Sequence, residues 1–102
     1  MPERVLQETR DLARALDRHQ AFRDITHAFL LVNGQWSQQT NTLEFCFRRN
    51  IYLAEVSIEG VRLKRVKGFD AITDIGTFIP SGTSNLARDI ALVLSSLGGM
   101  AA

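Results

Sequence analysis

Cys46 is the only cysteine in the chain, and with His19 or His27 it makes the one thiol–imidazole combination on offer as a nucleophile and its base. A catalytic thiol needs an electropositive, half-exposed setting such as a helix N-terminus. Cys46 instead lies between Phe45 and Phe47 in an alternating run, where it is expected as a small apolar filler. A metal site on the two histidines would need a carboxylate ligand between them, and their separation matches no metal-ligand spacing. Asp70 and Asp74 sit four apart between Gly68 and Gly76, which suits turn capping better than cation binding, because the alternating acidic pattern of a calcium loop is missing. Pro80 to Asn85 brings hydroxyls and free N–H groups to a helix start, the chemistry of an anion site, yet without the lysine of a phosphate loop. These residues converge on no known constellation. The expectation is a non-enzymatic protein with no cofactor, no metal and no catalytic residues.

The elements that hold these residues follow from periodicity. Val5, Thr9, Leu12, Ala13 and Leu16 recur at three and four residues, with charges of alternating sign around them, and predict an amphipathic helix opened by Pro2 and Glu3. Gln20 to Thr26 ends it. Ala28 to Val32 is too short an apolar run for a helix and predicts a buried strand bounded by Asn33-Gly34. Gln35 to Thr42 is polar and predicts a mobile connection anchored by Trp36. From Leu43 to Lys67 strict alternation predicts a three-stranded meander, with turns at Arg49-Asn50 and Glu59-Gly60. That register sets Phe47 opposite Tyr52, Phe45 opposite Ala54, Val56 opposite Leu63 and Ile58 opposite Val61 on one core face. Ala71 to Ile79 fits an edge strand or a helical turn. A second helix, capped by Thr83 or Ser84, runs from Leu86 to Leu97 on Leu86, Ile90, Val93, Leu94 and Leu97 until Gly98-Gly99 stops it, and Met100 to Ala102 frays.

The expected fold is therefore α+β: an antiparallel sheet of four to five strands around the meander, with both helices on one face. At 102 residues it is a single domain. The sequence shows no export signal or long apolar run, and with a lone cysteine this points to a cytoplasmic protein and away from a membrane. Net charge is only +1. Charge is uneven, however, since Arg48, Arg49, Arg62, Lys64, Arg65 and Lys67 outnumber Glu44, Glu55 and Glu59 in the meander region.

Two short resemblances concern ligands. Glu55-Val56-Ser57-Ile58-Glu59-Gly60 resembles the acidic-x-Ser-x-x-Gly strand motif of PilZ domains, which would imply a cyclic dinucleotide; Glu stands where that family has Asp or Asn, and Arg48-Arg49 does not reproduce its upstream arginine element. The order helix, meander, helix resembles a double-stranded-RNA-binding domain, but Asn85 and Leu86 occupy the place of its paired lysines. Neither resemblance is taken as membership, and cyclic-dinucleotide or other small-ligand binding is the remotest expectation.

The leading expectation is an interaction or regulatory domain that self-associates or binds another protein through the sheet face the helices leave open. Cys46, Ile51, Leu53 and Val66 form its apolar centre and Arg48, Glu55, Arg62 and Lys64 part of its polar rim, the usual anatomy of an interface. Should that contact fail, a sheet edge such as the Ala28 to Val32 strand is the next place to look. The alternative is a nucleic-acid-binding module using the meander's basic residues, with Tyr52 or Trp36 as a stacking ring.

Overall fold

A computed structural model describes residues 3–68, 71–78 and 83–100. The element order is α1 (Glu3–Arg18), β1 (Phe22–Val32), β2 (Gln35–Phe47), β3 (Asn50–Ser57), β4 (Gly60–Gly68), β5 (Ala71–Phe78) and α2 (Thr83–Met100). The strands form one antiparallel five-stranded sheet in the order β1-β2-β3-β4-β5, each paired only with its neighbours in sequence. Both helices pack on one face, so the fold is α+β.

Helix α1 buries Val5, Thr9, Leu12 and Leu16, the predicted stripe. A threonine is tolerated there because its buried hydroxyl donates to the Val5 carbonyl at 2.7 Å, one turn back. The chain leaves α1 through a tight turn in which the His19 N–H donates to Leu16 O at 3.1 Å and the Phe22 N–H to His19 O at 3.2 Å. Helix α2 contributes Leu86, Ala87, Ile90, Ala91 and Leu94 to the core, and Val93 is half-buried. Between the helices and the sheet, Phe22 meets Phe45 edge-on at 5.2 Å, and Phe45 stacks with Tyr52 at 5.9 Å. Phe47, Val56, Val61 and Leu63 complete the same cluster.

The meander keeps its predicted faces, but each turn lies one residue earlier than expected. The first loop is Arg48-Arg49, with Phe47 opposite Asn50 and Phe45 opposite Tyr52; the second is Ile58-Glu59, with Ser57 opposite Gly60 and Val56 opposite Val61. Side chains alternate with period two, so this change of pairing leaves every inward residue inward. Ile58 is the exception: it sits in the turn and is exposed.

Three other expectations are corrected and one open alternative, at residues 71–78, is resolved as an edge strand. Gln35 to Thr42 is no mobile connection; it is the first part of β2. Ala28 is buried, but Phe29 to Val32 is not. Residues 71–78 are strand β5. Helix α2 runs through Gly98 and Gly99 to Met100, and Thr83 is its first residue. The predicted loop at Pro80 to Gly82, along with Pro2, Asp70, Ile79, Ala101 and Ala102, lies outside the described residues.

Candidate interaction surfaces

The β1–β2 hairpin turns at Asn33-Gly34, with φ of 51° and 77°. Two successive positive φ angles are what a two-residue hairpin turn needs, and Asn-Gly is the pair best able to supply them. Above the core the pairing is regular, from Phe29 opposite Gln38 through Leu31 opposite Trp36 to Val32 opposite Gln35. Below it the register breaks. Ala28 alone spans the distance that residues 39–42 span on β2, and the Asn41 side-chain amide crosses to donate to the Val56 carbonyl at 3.2 Å. This bulge closes the base of an arm whose tip extends beyond the cover of both helices. Phe29, Leu31 and Trp36 are 57%, 58% and 61% exposed, and Leu30 and Val32 are exposed too. From Ala28 to Leu43 no residue is Asp, Glu, Lys, Arg or His.

The open face is the second surface. Register places Glu44, Leu53 and Lys64 in one row across β2–β4 and Cys46, Ile51 and Val66 in the next, with Glu55 opposite Arg62. The structure thus brings Cys46, Ile51, Leu53, Val66, Glu55, Arg62 and Lys64 together on one face, with Arg48 at its edge in the turn. Its centre is largely covered by its own neighbours: Leu53 is only 8% exposed and Ile51 39%. The ion pairs Lys64–Glu55 and Arg62–Asp74, both at 3.9 Å, lie across it. The face therefore offers less apolar surface than the arm.

The chemical candidates are dispersed. Cys46 lies on the open face, opposite Arg23 and Ile51, whereas His27 pairs with Leu43 on the core side and His19 packs on Phe22 at 5.2 Å. The two histidines and the thiol are thus on different sides of the sheet. Burial pushes the Cys46 thiol up, and the carboxylates of Asp24 and Glu44 push it further, which is the reverse of thiolate activation. His19 Nδ1 accepts from the Ala21 N–H at 3.4 Å, a role in its turn. His27 Nδ1 is buried and has no hydrogen-bond partner among the described residues. Among the described residues no three His, Cys, Asp or Glu side chains cluster as metal ligands.

Four of the six basic residues of the meander are engaged as well. Besides the ion pairs of Arg62 and Lys64, Arg65 donates to Asn50 Oδ1 at 3.1 Å and the Arg48 guanidinium lies 5.4 Å from the Phe47 ring centre. Tyr52, expected as a stacking ring, is buried in the core. Ser57, the serine of the PilZ-like stretch, donates to Gly60 O and accepts from the Glu59 N–H, both at 3.2 Å, so its hydroxyl serves its own turn. No helix among the described residues is long and apolar enough to cross a membrane.

The arm was only half visible in the sequence. The continuous apolar run Phe29 to Val32 predicts a buried strand, but such a run does not reveal whether anything covers it. Asn33-Gly34 was the available signal, since flanked by an apolar run and a Trp-bearing polar one it marks a two-residue hairpin. These surfaces belong to a small α+β protein built on one meander sheet. Compared with protein-family models, curated proteins and solved structures, the chain gives no match.

Proposed function

We propose that this chain is a non-enzymatic protein-interaction domain that docks through the β1–β2 arm, with the open face around Ile51 as a lesser surface. The observation that carries this reading is the exposure of Phe29, Leu31 and Trp36 on a regular, uncharged hairpin. Leaving such side chains in water forgoes on the order of 1 kcal/mol or more each, which a covering surface recovers. An exposed apolar patch of this kind marks a contact site.

A photoactivatable cross-linker at position 36, installed in the protein in its native cell, tests the reading. The expected result is a covalent protein adduct that Leu31→Lys abolishes, at a level well above that from the exposed turn position 59. Equal, background labelling at both positions would overturn it.

A further inference from the structure

Among the described residues strand β1 has a hydrogen-bonded neighbour on the β2 side alone and so forms an edge. Such edges are normally guarded by charge, proline, brevity or a bulge, because their unpaired N–H and C=O groups are a template for another strand. The other edge, β5, is guarded: it carries Asp74, and its pairing with β4 has two register shifts. The lower part of β1 is guarded too, by Arg23 and by Asp24, whose φ of 54° accompanies a shift in register. Only Phe29 to Val32 has no guard. These four consecutive residues are in regular register, apolar and exposed.

We propose that this segment pairs antiparallel with the same segment of a second copy, about a two-fold axis near Leu30 and Leu31, joining two five-stranded sheets into one. The proposal rests on the interaction-domain reading above and names its partner. In a two-fold contact each surface meets itself, so the residues near the axis must carry no charge that would face its own copy. The uncharged stretch from Ala28 to Leu43 satisfies that condition, as the charged exposed sides of α1 and β4 do not. From the exposures of Phe29, Leu30, Leu31, Val32 and Trp36, on the order of 500 Å² of surface is available per copy, and covering all of it would bury about 1,000 Å² for the pair, the size of a weak, concentration-dependent dimer. A lipid surface fits less well. Membrane-seated apolar tips gain from flanking Lys and Arg that meet anionic headgroups, and this arm has none between Arg23 and Arg48.

Trp36 is the only tryptophan and stands opposite Leu31, so its emission reports on this contact directly. The test is light scattering and tryptophan emission over a concentration series of the full chain. The expected result is a dimer, with Trp36 emission shifting to the blue as it forms. Leu31→Lys should weaken dimerisation at least tenfold with unchanged far-ultraviolet circular dichroism, since the site is exposed and the fold does not depend on it. Ile51→Lys, on the open face, should leave the dimer intact. Dissociation by Ile51→Lys but not by Leu31→Lys would overturn the edge pairing. A strict monomer would overturn the second copy as partner, while the cross-linking result at position 36 decides separately whether the arm binds another protein. A monomer whose Trp36 emission shifts only with phosphatidylcholine–phosphatidylserine vesicles would overturn the proposal in favour of a membrane.

Discussion

At the scale of single residues, Cys46 gives the plainest expectation. Its thiol is held up in the folded chain, by burial first and then by Asp24 and Glu44, so the folded state keeps its proton where the unfolded chain has begun to lose it. Stability is then unaffected by this group at neutral pH, and falls as pH rises above the unfolded thiol range of about 8.5 toward the higher folded value. Urea titrations at pH 7 and pH 10 should therefore show a loss in the wild type that is smaller in Cys46→Ser. A thiol reagent at pH 8 should label the native protein more slowly than the urea-unfolded chain. Faster labelling of the native form would mean the surroundings activate the thiol after all.

Among the elements, the β2–β3 turn is the anomaly. Of the non-glycine residues at positive φ among the described residues, Asp24 and Asn33 are of types that tolerate it, but Arg48 at 49° and Arg49 at 72° are not. Each costs about 1–2 kcal/mol, partly offset where Arg48 lies over Phe47. Replacing the pair by Asn-Gly should stabilise the domain by about 1 kcal/mol and raise the melting temperature by roughly 4–8 °C. A lower melting temperature would show that the arginine contacts outweigh the strain. This anomaly also explains what was legible. Helix stripes and strand faces depend on local period, so Val5, Thr9, Leu12 and Leu16 and the inward set Phe45, Phe47, Val56 and Leu63 could be read from the sequence. Turn position could not, because nothing in Arg48-Arg49 advertises a positive-φ pair, and Asn50 next to it is the better candidate by type. The polar start of β2 is opaque for a different reason: Gln35 to Gln38 becomes strand through pairing with Phe29 to Val32, which the polar residues themselves do not announce.

For the whole molecule, one core cluster draws on both helices and on strands β1 to β4, and Phe29 to Val32 and Trp36 of the arm are not among its members. A net charge of +1 adds little long-range repulsion between copies, so nothing in the bulk electrostatics opposes an apolar contact. The open face fits this picture as a surface that is already half satisfied by its own ion pairs and by the cover over Leu53. Seven of its eight predicted residues share a face by strand parity, which the sequence shows, while Arg48 lies in the turn; how far they cover one another depends on side-chain packing and is not legible in the sequence.

The uncharged stretch also sets how the arm meets proteases. Trypsin recognises Lys and Arg, and the chain has neither between Arg23 and Arg48, so trypsin leaves Asp24 to Arg48 as one piece whether the arm is free or covered. Chymotrypsin, with its apolar slot, has Phe29, Leu31 and Trp36 within reach on the free arm. Chymotryptic nicking of the hairpin should therefore slow as concentration rises while tryptic digestion does not, and equal concentration dependence with both enzymes would place the protection elsewhere.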